Sequence, residues 1–440
     1  MSAHPNFRVD VYQNEYLPEG ASEVNAIVTV TSGQATGPDT PAAGPAADSV
    51  AAAEVIIVDC SGSMDYPRDK MIAAKQATSA AVDALRDGVA FAVIAGTDQA
   101  RLVYPQQGGL VAADARTKAA ARAAVNGLKA GGGTAIGRWL SLAHQLFLPH
   151  GNSIKHAILL TDGRNEHERP SELEATLAQC EGRFVCDCRG VGTDWEVDEL
   201  RRVSTALLGT VDIVADPAGL AEDFRKMTDA AMNKAVADVV LRLWTPQGAS
   251  VKFVKLVAPE VVDLTARRTT RSAQVGDYPT GSWGTESRDY HVCVTVHPAG
   301  VGDVMLAGRI SLVLTGTGDQ DVVLGQGLAK ATWTDDMVLS TKISPEVAHY
   351  TGQAELAGVI QEGLEARKSG DLDTATAKLG RAVALATRSG NTDTAELLSK
   401  VVDIDDPVTG TVRLKAKVSD VDAMTLDTRS TKTSRVRKSS

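Results

Sequence analysis

Large aromatic side chains are scarce: Phe, Trp and Tyr make up 4% of the 440 residues. That disfavours a binding surface built on aromatic anchors and suits cores in which small helices pack on sheets of Ala, Val and Leu. Cysteine is also sparse, with five residues, Cys60, Cys180, Cys186, Cys188 and Cys293. Their odd number and irregular spacing do not make a secreted disulfide framework. No apolar run approaches the ~20 residues of a membrane-spanning helix. The opening "MSAHPNFRVDVYQNE" is polar and alternating, not a charged, apolar, small-residue leader. These absences point to a cytoplasmic protein with no membrane partner. Positive charge is in deficit as well: the net charge is -10, which argues against nucleic acid as the partner of the whole chain.

What is present is an ordinary globular composition, 43% hydrophobic and 23% charged. The length exceeds what one compact core holds, so several domains are expected. Residues 1–33 carry two alternating stretches, Phe7 to Val11 and Val24 to Val30, around the turn-rich "NEYLPEGAS". They read as a hairpin-like strand pair with one buried face. Residues 34–53, rich in Gly, Pro and Ala, read as a linker.

From 54 to 235 short β-branched runs such as "EVIIVD", "VAFAVIAG", "KHAILLTDG" and "TVDIVAD" alternate with helical segments such as "DKMIAAKQATSAAVDAL" and "TAIGRWLSLAHQLF". This pattern predicts a doubly wound α/β domain with a mainly parallel sheet covered on both faces. "ARLVYP", close behind "VAFAVIAG", suits a hairpin partner at the sheet edge. Residues 236–342 switch to alternating strands between Gly and Pro turns, an antiparallel β-sandwich that the N-terminal strands would complete. Residues 343–403 read as a small helical module, with Gly370 and Gly390 as stops and Asp371 and Asn391 as N-caps. "GDLDTATAKLGRAVALA" resembles a tetratricopeptide helix pair, but the stretch is too short for a solenoid, and a small bundle on the β domain is expected.

The chemistry gathers at the strand ends of the α/β domain. "VIIVDCSGSMD" ends a strand in Asp59 and follows it with Ser61 and Ser63 at alternate positions. Ligands of open α/β sheets bind in the crevice beyond the carboxyl ends of the strands. "AGGGTAIG" offers Thr134 behind three glycines, and "AILLTDGRN" ends another strand in Thr161, Asp162 and Gly163. Asp59, Ser61, Ser63, Thr134 and Asp162 form a set of hard oxygen donors with no His or Cys. Such a set selects Mg²⁺, Ca²⁺ or Mn²⁺.

In order and context these motifs resemble a von Willebrand factor type A (VWA) domain with a complete metal-ion-dependent adhesion site (MIDAS). D-x-S-x-S falls at Asp59, Ser61 and Ser63, the second-loop threonine at Thr134 and the third-loop aspartate at Asp162. The resemblance covers residues 54–235. It implies one divalent cation, Mg²⁺ first, held by both serines and the threonine directly and by the aspartates often through water. It also implies a protein partner that supplies an acidic residue to the ion. The whole layout is similar to bacterial intracellular proteins with this domain, a β-rich flank and a helical C-terminal module. Some of those are associated with Ser/Thr phosphorylation signalling or stress systems.

Competing readings are weaker. Neither serine lies in a G-x-S-x-G elbow, and His144, His156 and His167 lack triad context. Asp59 lacks the second acid at i+2 of a phosphoryl acceptor, because Ser61 stands there. "GGGT" is not followed by Gly-Lys-Ser/Thr. Cys186 and Cys188 share one strand face and, with Cys180, read as small buried thiols before a soft-metal site. No convincing general base is present, so no enzyme is expected; a hydrolase or phosphoryl-transfer enzyme using the same ion is the alternative. Residues 404–440 are expected as a basic, Ser/Thr-rich mobile tail. Phosphorylation of Thr425, Thr428, Ser430, Thr431, Thr433, Ser434, Ser439 or Ser440 would create an epitope for a phosphopeptide-binding partner.

Overall fold

The computed structural model describes residues 5–33, 51–151, 153–315, 321–433 and 435. The chain divides into two units: Asp39–Ala237, and a second formed by Ala3–Pro38 together with Asp238–Ser440. The linker expected at 34–53 lies outside the described residues up to position 50.

The N-terminal strands are β1 (Asn6–Gln13), β2 (Tyr16–Pro18) and β3 (Glu23–Gly33). β1 and β3 pair antiparallel from Asn6↔Gly33 to Gln13↔Ala26. Val24, Ala26, Val28 and Val30 are fully shielded on one face of β3, and Ile27 is fully buried on the other, so the single buried face expected from the alternation holds only in part.

The α/β unit runs β4 (Ala52–Asp59), α1 (Asp69–Ala84), β5 (Ala90–Gly96), β6 (Ala100–Tyr104), β7 (Val111–Ala112), α2 (Ala115–Asn126), α3 (Ile136–Phe147), β8 (Ile154–Thr161), α4 (Pro170–Cys180), β9 (Val185–Val191), α5 (Val197–Ala206), β10 (Val211–Val214) and α6 (Leu220–Met232). The sheet order is β10-β9-β8-β4-β5-β6, with β7 also paired to β5. β4, β5, β8, β9 and β10 are parallel. β6 runs antiparallel to β5 because the short connection 97–99 cannot make a parallel crossover. Every residue of β4 is buried, as both-face coverage requires. Ile56 and Val58 join a core with α1, α2 and α6 residues such as Ala74, Val125 and Phe224. Val55 and Ile57 point to the opposite face, where α3, α4 and α5 pack. Strand order reverses at β4, so the crevice beyond its carboxyl end is the place where such sheets hold ligands.

The second unit continues with β11 (Val236–Trp244), β12 (Ser250–Ala258), β13 (Val262–Asp263), β14 (Thr269–Thr270), β15 (Val275–Trp283), β16 (Ser287–Thr295), β17 (Val304–Leu314) and β18 (Val322–Thr334). Two sheets form, β1-β3-β16-β12-β13 and β14-β15-β11-β17-β18-β2. The first strands thus contribute to both, since β2 leaves its neighbours and pairs parallel with β18. The faces approach closely where Gly325 and Gly327 lie against Val9 and Val11; a Cβ at Gly327 would come within 2.3 Å of Val11.

Helices α7 (Met337–Ser340), α8 (Pro345–Ser369), α9 (Leu372–Ser389) and α10 (Thr392–Val401) follow. The caps read from the sequence are in place. Gly370 and Gly390 end α8 and α9 with φ of 85° and 65°. Asp371 and Asn391 each accept an N3 backbone N–H at 3.1 Å. Val347 and Tyr350 of α8 pack on Ile27, Val257 and Ala258 of the first sheet.

The expected mobile tail from 404 to 440 needs correction over its first thirty residues. Strands β19 (Val402–Asp406) and β20 (Thr411–Leu414) form a hairpin, and α11 (Asp420–Arg429) follows. Leu426 is fully buried with Leu379, Val383 and Leu398, and Val412 joins the same core. The chain then returns to the sheet: Val261 N–H bonds Thr431 O at 2.8 Å and Thr433 N–H bonds Pro259 O at 2.9 Å. The Ser/Thr and basic composition hid a few apolar residues at strand and helix spacing, enough to dock the segment. Thr428 and Ser430 are 1% and 4% exposed, so neither is an open phosphorylation site in this fold. Ser434, Ser439 and Ser440 lie outside the described residues.

Candidate metal centre

β4 delivers Asp59 to the carboxyl edge of the sheet, where its carboxylate is fully buried. Asp59 Oδ1 accepts the Ser61 N–H at 2.7 Å and Oδ2 accepts the Thr161 hydroxyl at 2.5 Å. These bonds fix the side chain and fold the D-x-S turn over it. Burial pushes the Asp59 carboxyl up to about 6, against the lowering effect of those hydrogen bonds.

The first loop is zipped to the glycine-rich loop. Gly62 N–H bonds Gly132 O at 3.0 Å and Gly131 N–H bonds Cys60 O at 2.8 Å. Gly132 has φ of 89°, which favours glycine, and a Cβ on Gly133 would collide with the His167 ring. Those two glycines let the loop lie flat and carry Thr134 inward, where it is 5% exposed. Thr134 N–H donates to His167 Nδ1 at 3.1 Å, and His167 N–H returns to Thr134 O at 2.9 Å. The third loop also caps α3: Ile136 N–H bonds Asn165 Oδ1 at 2.8 Å and Gly137 N–H bonds Glu168 Oε1 at 2.7 Å.

β8 delivers Thr161 and then Asp162, also fully buried. Ser63 donates its hydroxyl to Asp162 Oδ1 at 2.7 Å, and the Ser61 and Ser63 oxygens are 2.9 Å apart. With its proton given to Asp162, Ser63 accepts from Ser61. A Cβ added to Gly163 would lie 3.2 Å from Ser63 Oγ, 3.3 Å from Thr134 Oγ1 and 3.9 Å from Ser61 Oγ. The three hydroxyls therefore surround one small space that only a glycine leaves open. Ser63 is exposed while Ser61, Thr134, Asp59 and Asp162 are buried, so the cluster meets solvent on the Ser63 side.

All five residues singled out in the sequence thus meet at one rim. Their chemistry fits a small hard cation: three neutral hydroxyls and two carboxylates, with no soft donor. Sequence reasoning left out Thr161, which orients Asp59, and His167, which orients Thr134. It also left out Lys70. The Lys70 ammonium donates to Asp162 Oδ2 at 2.8 Å and to Asp194 Oδ2 at 3.2 Å. A cation in the first turn of α1 runs against the helix dipole, and that was the available signal. Asp65 lies in the exposed 3₁₀ turn Gly62–Asp65.

Among the described residues no hydrogen bond joins Ser61 or Ser63 to a histidine, and His156 is held between Glu54 and Asp187 on the sheet. Nor do the described residues contain a group of three or more His, Cys, Asp or Glu placed to hold a metal. The five cysteines are free and buried. Burial with the neighbouring Asp59 charge pushes the Cys60 thiol up to about 12, far from a reactive thiolate.

An open α/β sheet with an oxygen-lined rim at the strand-order reversal defines a class, and comparison with known proteins gives its family. Residues 53–213 match the von Willebrand factor type A domain model, and residues 384–430 match the von Willebrand factor type A C-terminal domain model. A solved von Willebrand factor type A protein from Catenulispora acidiphila is 52% identical, with 98% of each chain covered and a TM-score of 0.92. The chain belongs to the von Willebrand factor type A family. The ArnB paralog VWA2 from Sulfolobus acidocaldarius shares the fold at 14% identity and a TM-score of 0.57, over 97% of this chain and 98% of that one. A protein of Synechocystis described as uncharacterized is 29% identical over 232 residues, 51% of this chain and 53% of its own. The chain spans about half the length of that curated relative. Domains of this family typically mediate metal-dependent protein–protein interaction and commonly bind a divalent cation. No helix among the described residues is long and apolar enough to cross a membrane.

Proposed function

We propose that this chain is a non-enzymatic interaction protein that captures an acidic protein partner through one divalent cation, Mg²⁺ in the cell. Asp59, Ser61, Ser63, Thr134 and Asp162 hold the ion as a metal-ion-dependent adhesion site. The observation that carries this reading is the convergence of three hydroxyls on one space, open on the Ser63 side, with the Asp162 carboxylate hydrogen-bonded to Ser63 and the Asp59 carboxylate to the backbone N–H of Ser61. A bound cation supplies one Lewis-acidic position for an anionic oxygen. The chain's own part is to orient and to limit charge. Asp59 is pinned by Ser61 N–H and Thr161, Asp162 by Ser63, and the hydroxyls add donors without adding negative charge. A partner carboxylate is the natural complement of such a rim.

The cellular setting belongs to the same proposal: a cytoplasmic bacterial system of Ser/Thr phosphorylation. A partner recognising the phosphorylated C-terminal segment is confined by the buried Thr428 and Ser430 to the other hydroxyl residues there. The test is affinity capture from the native host with and without chelator, with Asp59→Ala as control. Capture that needs the ion and Asp59 supports the reading; capture indifferent to both refutes it. Metal-dependent hydrolysis of ester or phosphate substrates lost in Asp59→Ala would replace it with an enzyme.

A further inference from the structure

Lys70 sits where a lysine is locally disfavoured. It occupies the first turn of α1, against the helix dipole, and is 6% exposed. A buried ammonium is stable only when paired. Its pairing is unequal: Asp194 is 69% exposed on its side chain, while Asp162 is fully buried. The desolvated interaction is therefore with Asp162.

That pairing commits one of the two oxygens of Asp162. Oδ1 accepts from Ser63 and Oδ2 from Lys70. It also changes the charge count. Asp59 and Asp162 together bring -2 to the rim, and Lys70 returns +1. A divalent ion in this rim is left under-neutralised by one charge more than the five donors alone would leave it.

We infer that Lys70 is a built-in counter-charge that restricts Asp162 to a single oxygen and leaves a bound divalent cation dependent on an outside carboxylate. The inference rests on the ion-binding reading above. Three consequences follow from it. The ion binds more weakly by itself than it would without Lys70. An external carboxylate strengthens ion binding, because it supplies the missing charge. Mg²⁺ is favoured over Ca²⁺, since calcium gains more from two-oxygen carboxylate contacts and higher coordination numbers.

Two substitutions separate charge from hydrogen bonding. Lys70→Met removes both and keeps the apolar stem; Lys70→Gln removes the charge and offers Asp162 Oδ2 an amide donor one bond shorter. The full chain is titrated calorimetrically with Mg²⁺ and with Ca²⁺, each with and without saturating acetate, and folding is checked by circular dichroism. Both variants are expected to bind Mg²⁺ roughly tenfold or more tighter than the wild type, the size expected for deleting a like charge at this range in a partly buried site. Ca²⁺ should gain more in Lys70→Met than in Lys70→Gln, a split that loss of mere structural support would not produce. Acetate should tighten Mg²⁺ binding more in the wild type than in either variant. If Lys70→Met does not fold, Lys70→Gln alone decides the charge effect. Wild-type binding that is unchanged or weakened in the folded variant overturns the role of Lys70 and leaves the ion site standing. No ion taken up by wild type or variant overturns the ion site itself, and this inference with it.

Discussion

Replacing Asp59 by alanine is expected to abolish ion binding at a partly offset cost to the fold, and the reason can be worked from its surroundings. The carboxylate is fully buried and accepts the Ser61 N–H and the Thr161 hydroxyl. Alanine leaves both donors without that partner, at about 1–3 kcal/mol each. Against this stands a gain. Burial holds the Asp59 carboxyl at about 6, against an ordinary 3.8, so keeping it ionised at neutral pH destabilises the ion-free fold by roughly 3 kcal/mol. The terms partly cancel at pH 7.5, and the variant should unfold within ~3 kcal/mol of the wild type when chelator is present.

The cancellation depends on pH with a definite sign. The folded state binds the Asp59 proton more tightly than the unfolded state. The ion-free wild type therefore gains stability as pH falls from above 6 toward 4, and loses it again as pH rises. Asp59→Ala lacks this slope, so its stability deficit relative to wild type should be larger at pH 4.5 than at pH 7.5. Urea unfolding at the two pH values in chelator reads both. A variant less stable by the same several kcal/mol at both pH values would refute the reasoning, because Asp59 would then be a net stabiliser rather than a strained ligand.

Other outcomes follow from the same geometry. Gly163→Ala places a methyl among Ser63, Thr134 and Ser61 at 3.2–3.9 Å; ion binding read by calorimetry should be lost while the circular dichroism spectrum is kept. On the sheet, Glu54 and Asp187 raise the His156 imidazole to about 10 against the opposing effect of burial. Its contribution to stability is full below about 6.5 and lost as pH rises through 10. Denaturation midpoints should fall over that range in wild type and fall less in His156→Gln. Leu426→Ala in α11 should destabilise the second unit by about 2–5 kcal/mol in denaturant unfolding; a change near zero would mean that the segment does not dock.

Much of this was legible because local chemistry and global fold agree. A β-branched run ending in Asp59, with serines at alternate positions, marks a strand feeding a loop, and the crossover helices fix which edge that loop occupies. Gly370–Asp371 and Gly390–Asn391 announced helix ends that the capping bonds bear out. What escaped was long-range or compositional. Lys70 and Asp162 are 92 residues apart in sequence, so a lysine set against the helix dipole is a local signal that does not name its partner. Thr161 stood beside the motif, but its hydroxyl's target lies on another strand. The docked segment of 404–433 was masked by its Ser, Thr and basic residues, whereas burial there is decided by a few positions such as Val412 and Leu426.

The central claim is that Ser61, Ser63 and Thr134 share one ion with Asp59 and Asp162. Anomalous scattering from crystals of the full chain soaked in Mn²⁺ tests it most directly. The account expects a single strong peak among those hydroxyl oxygens, absent in Asp59→Ala. A saturating soak that leaves no peak there, or a peak that persists in Asp59→Ala, would contradict it.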